Sequence, residues 1–87
     1  MNVQTTTELA AVTDLWAALL PFEAPDRFTL ALWLRQHGVE TVVYAIEQTA
    51  IKRMKNDAMD RQHATRLCSA ICCSETRLKN HQQSNAA

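Results

Sequence analysis

Eighty-seven residues with no net formal charge have room for one small domain, near the size at which a single core suffices without disulfides or metal. Apolar residues make up 47% of them, with one glycine and two prolines, which excludes a disordered chain and a turn-rich β fold. No stretch approaches the roughly 20 apolar residues of a membrane span, and MNVQTTTELA lacks the basic and apolar regions of a signal peptide. A cytoplasmic protein without a membrane partner is expected.

The neutrality hides an asymmetry. Residues 1–51 hold Glu8, Asp14, Glu23, Asp26, Glu40 and Glu47 against Arg27 and Arg35. Residues 52–87 hold Lys52, Arg53, Lys55, Arg61, Arg66, Arg77 and Lys79 against Asp57, Asp60 and Glu75. Such a dipole suits a polyanionic partner, but equally an internally satisfied bundle or oriented self-association.

Taken in order, the elements read as helices. Thr5-Thr6-Thr7-Glu8 is a capping-box pattern for a first helix running to about Leu20. Its apolar face is Leu9, Val12, Trp16 and Leu19, widened by Leu15 and Leu20, and Pro21 ends it. Pro25 suits the first position of a second helix reaching His37, with Asp26 complementing its positive end. Phe28, Ala31 and Leu32 project to one side of that helix and Leu30, Trp33 and Leu34 to the other, the pattern of a helix sandwiched between neighbours.

Gly38 closes the second helix in a left-handed conformation, and a third runs over 39–56 with Val39, Val42, Val43, Ile46 and Ala50 inside. Tyr44 and Ile51 form a second stripe opposite, among Glu40, Glu47, Gln48 and Lys55; it either packs on the first helix or faces a partner. Asn56-Asp57 breaks the chain, and Asp57 or Asp60 caps a fourth helix extending to about Asn80. Its expected inner face is Ala64, Leu67, Cys68, Ile71, Glu75 and Leu78. The fold class is therefore all-α: a three- to four-helix bundle over residues 1–80 with a glycine corner between helices two and three, followed by a mobile tail at 81–87.

Chemical motifs are sparse. Aligned on Gly38, a helix-turn-helix would need a small residue at Leu34 and a buried aliphatic at Tyr44, and its reading helix would present Glu40 and Glu47 to phosphates. Cys68, Cys72 and Cys73 on one helix do not converge on a metal, with Cys68 and Cys72 on the margin of the buried face and Cys73 pointing away. His63 and His81 do not complete a tetrahedral set. Phosphate loops, nucleophile-base pairs and paired carboxylates are missing, so no enzyme, metal or cofactor is expected, and His37 reads as a helix-end residue favoured by the dipole. The most coherent surface is the outer side of the fourth helix, where Gln62, Arg66, Ser69, Cys73, Arg77 and Asn80 align as a polar stripe able to follow phosphates.

The spacing WL...HG.E.V..AI..TA, carried by Trp33, Leu34, His37, Gly38, Glu40, Val43, Ala45, Ile46, Thr49 and Ala50, resembles the helical domain of DnaD-like primosomal proteins over about residues 30–72. That resemblance implies a small all-helical domain that binds DNA and supports assembly in replication restart and helicase loading. Two function classes follow. One is a DNA-associated accessory protein contacting phosphates through Lys52, Arg53, Lys55, Arg61, Arg66 and Arg77. The other is an interaction or self-association module using Tyr44 and Ile51.

Overall fold

Four helices follow one another in the computed structural model, which describes the backbone of residues 3–86 and the side chains of residues 7–80: α1 (Val3–Leu19), α2 (Arg27–His37), α3 (Val39–Met54) and α4 (Arg61–Ala86). The all-α expectation holds, with no strand among the described residues. α1 begins at Val3, so Thr5 lies within the helix instead of capping it. No glycine or proline precedes Thr5 to stop the helix from starting earlier.

The inner face of α1 carries Val12, Trp16 and Leu20. The buried indole N–H of Trp16 donates to the Phe22 carbonyl at 3.0 Å, folding the connector back over the helix end. Asp26 then caps α2, its Oδ1 accepting the Thr29 N–H at 2.8 Å. Pro25, expected as the first helical residue, sits one position before the cap and is buried. A carboxylate that can satisfy an orphan amide takes the cap position in preference to serving inside the first turn.

α2 touches each of the other three helices, as expected of a central element, but of its side chains only Leu30, Trp33 and Leu34 are buried. The sandwich reading is corrected here, because Phe28 is 90% exposed and Leu32 49%. The molecule is a slab of 43 × 33 × 16 Å, and no described element is laid over that side. Centrality belongs to α3, whose buried arc takes in Thr41, Val42, Ala45, Ile46, Thr49 and Ala50, while α1 and α4 do not pack together among the described residues.

Between α2 and α3 there is no loop. Gly38 donates to the Leu34 carbonyl at 3.0 Å, and its own carbonyl accepts the Val42 N–H at 3.2 Å. Its φ of 86° is positive as expected, but its ψ of 157° lies outside the left-handed helical region, in territory essentially restricted to glycine. Two helices that follow without a linker need this sharper reversal.

α3 stops at Met54, two residues short of expectation. The turn that follows is held by Asn56, whose Oδ1 accepts the Ala58 N–H at 3.1 Å, and plugged by buried Met59. Of the two candidate caps the structure uses Asp60, which accepts the His63 N–H at 2.8 Å.

α4 turns Ala64, Cys68 and Cys72 inward against α3. Cys68, expected on the inner face near its margin, and Cys72, expected only at the margin, are both fully buried, while Leu67 and Ile71 are half-buried and Leu78 is half exposed. Cys68 meets the buried Thr49 of α3, and the two thiols serve as small apolar fillers of the seam. The backbone of α4 is helical to Ala86, covering residues 81–86 of the expected tail; Ala87 lies outside the described residues.

Candidate nucleic-acid and partner surfaces

α4 contains one acid, Glu75, and it is half-buried. The exposed side from Gln62 to Asn80 consequently has no carboxylate, and along it stand Gln62, Arg66, Cys73, Arg77 and Asn80, with Ser69 half-buried at its edge. Arg66 and Arg77 are separated by about 16 Å along the axis. Neither has a hydrogen bond or ion pair among the described residues, so none of these residues competes with a ligand for the guanidinium donors.

The remaining expected phosphate contacts do not join this stripe. Arg61 donates through Nε to the Glu23 carbonyl and through Nη2 to the Ala24 carbonyl, each at 3.2 Å. Its Nη1 lies 4.0 Å from the exposed Glu23 carboxylate. This arginine staples the start of α4 to the connector between α1 and α2. Lys52 and Lys55 are exposed and Arg53 half-buried around the last turn of α3, where cations complement the negative helix end.

Arg66 also borders a groove of about 460 Å³ formed with Pro25, Asp26, Thr29, Arg61, Gln62 and Thr65. The groove is not purely cationic. Hydrogen bonds from Thr29 hold the Asp26 carboxyl below its ordinary value, with a smaller contribution from Arg61, so a negative charge stands at its rim.

Two polar ties tell against ligand roles for the residues that make them. His37 Nδ1 and Thr76 Oγ1 hydrogen-bond at 2.6 Å, joining the end of α2 to α4. Burial pushes the imidazole pKa down, so His37 contributes a neutral hydrogen bond rather than the charge-dipole contact expected of it. Lys79, at the far end of α4, donates to the buried Thr41 hydroxyl at 2.8 Å.

Cys68, Cys72 and Cys73 are free thiols. Cys68 is held protonated by its hydrogen bond to Cys72 and by burial, whereas Cys73 is exposed on the arginine face. Among the described residues no three His, Cys, Asp or Glu side chains converge as metal ligands.

Tyr44 and Ile51, expected either to pack on the first helix or to face a partner, are 43% and 44% exposed, flanked by exposed Glu40 and Glu47, so α1 does not cover them. Sequence reasoning missed a more exposed apolar pair, Phe28 and Leu32 on α2, which line a shallow groove with Thr29, Ala31 and Arg35. The signal was there as the second apolar arc of α2, but periodicity does not say which arc the fold will cover.

No protein-family model matches the chain, nor does any characterised protein or solved structure. Among the described residues no helix is long and apolar enough to cross a membrane.

Proposed function

We propose that this chain is a small cytoplasmic DNA-associated accessory protein, of the type that serves replication or mobile-element modules, and that α4 follows the phosphate backbone without reading bases. The observation that carries the reading is the carboxylate-free outer side of α4 from Gln62 to Asn80, with Arg66 and Arg77 unengaged by any described residue. Planar guanidinium groups and short amide or hydroxyl side chains are suited to phosphate oxygens. Lys52 and Lys55 add to the field at the end of the bundle where α3 finishes and α4 begins, while Arg61 is committed to the connector. The likeness of residues 30–72 to DnaD-like domains supports the replication setting. Because the whole chain has no net charge, long-range attraction to DNA is weak, and the salt dependence reflects the few phosphates that are neutralised.

The test is a salt titration of binding to single- and double-stranded DNA by the wild type and by the Arg66→Gln/Arg77→Gln variant. Both side chains are exposed and have no partner among the described residues, so the variant keeps its helical content and melting midpoint. Its affinity falls by a similar factor on unrelated sequences, and the salt slope drops by about 0.7 to 0.9 for every phosphate the variant no longer neutralises. A wild type that binds neither form of DNA at about 50 mM salt refutes the proposal.

A further inference from the structure

The chain exposes two apolar faces of opposite charge. On α2, Phe28 and Leu32 stand outward with Arg27 and Arg35, and that helix contains no acid. On α3, Tyr44 and Ile51 stand outward with Glu40 and Glu47. Among the described residues, none of these four charges is ion-paired. The arginines are about 12 Å apart along α2 and the glutamates about 10.5 Å apart along α3, so one helix laid on the other brings both pairs into reach together. Within one copy the faces cannot meet, since each lies on the side of its helix turned away from the shared core.

We propose that a second copy of this chain is the occupant: the α2 face of one molecule docks on the α3 face of the next. The flat shape is consistent with this. A compact monomer of 9.8 kDa has an accessible surface of about 5,200 Å², and this chain has 5996 Å². Part of that excess comes from the length of α4. Phe28 supplies the aromatic anchor typical of an interface centre, and the Arg and Glu residues form the rim that sets orientation. Because the two surfaces differ, the contact is heterologous, so each molecule uses one face and leaves the other free for continued growth. These faces share no residue with the arginine stripe of α4, so the proposal is independent of DNA binding.

The experiment is sedimentation equilibrium of the full chain over a range of concentrations, with two variants altered only at exposed residues: Phe28→Ser/Leu32→Ser, and Tyr44→Ser/Ile51→Ser. Circular dichroism verifies that both remain helical. The wild-type average mass climbs past that of two chains as concentration rises, and association weakens with added salt. Each variant alone associates more weakly by about tenfold or more. Mixed in equal amounts, they form a species of two chains and nothing larger, because one supplies an intact α3 face and the other an intact α2 face. A wild type that stays monomeric at millimolar concentration overturns the proposal. So does an α3 variant that associates like wild type, which would indicate a symmetric α2 contact, or a mixture that remains monomeric.

Discussion

Gly38 is the position at which one added methyl group has a cost readable from the structure. A Cβ built there meets no atom within 4 Å, so packing contributes nothing and the penalty is purely torsional. With φ at 86° and ψ at 157°, an L-residue is held in glycine territory at a cost of about 1–3 kcal/mol. Replacing glycine also stiffens the unfolded chain, which returns about 0.4–1 kcal/mol. With both contributions taken at mid-range, the net loss for Gly38→Ala is about 1.3 kcal/mol, and at about 4–8 °C per kcal/mol for a domain of this size the melting midpoint falls by about 5–10 °C.

Asparagine distinguishes this corner from an ordinary helix terminus. It tolerates the left-handed helical region, where ψ is near +47°, but gains nothing at the ψ observed here. Gly38→Asn therefore destabilises about as much as Gly38→Ala. Thermal and urea denaturation followed by far-ultraviolet circular dichroism measure both variants. D-alanine introduced by chemical synthesis, whose mirror-image torsions fall at the edge of the β region, leaves stability unchanged or raises it. An unchanged midpoint for Gly38→Ala, or full rescue by asparagine, refutes the torsional reasoning.

Native-state thiol labelling modifies Cys73 first, since it is exposed near two arginines, while Cys68 and Cys72 react only as the protein opens; mass spectrometry of peptides after a short pulse reads the order, and equal labelling of all three contradicts the packing of α4. Burial depresses the His37 pKa below its ordinary 6.5, so the folded state binds fewer protons than the unfolded one. The stability this contributes is present above the ordinary value and is lost as pH falls from there through the folded pKa. Urea midpoints compared at about pH 7.5 and pH 5 fall on acidification in the wild type, and fall less in His37→Gln, where that proton linkage is gone.

Much of the architecture was readable from local patterns. Helix-period spacing placed Trp16, Val42 and Ile46 in the core, Gly38 marked the corner, and Asp60 was one of two acids that could cap the last helix. These features depend on contacts within one or two turns, where residue type and spacing decide the outcome. Tertiary structure decided everything that depended on which neighbour covers which surface. Periodicity fixed the angle between the two apolar arcs of α2, but only the slab arrangement buried Trp33 and left Phe28 in water. By charge alone Arg61 and Arg66 are alike, yet Arg61 meets carbonyls of residues 23 and 24 across a long stretch of chain and Arg66 meets none. The expected inner face of α4 held Ala64, Leu67, Cys68, Ile71, Glu75 and Leu78; packing on α3 buried Ala64 and Cys68, added Cys72, and left Leu78 half exposed. Burial is a property of a pair of surfaces, and a sequence specifies directly only one member of each pair.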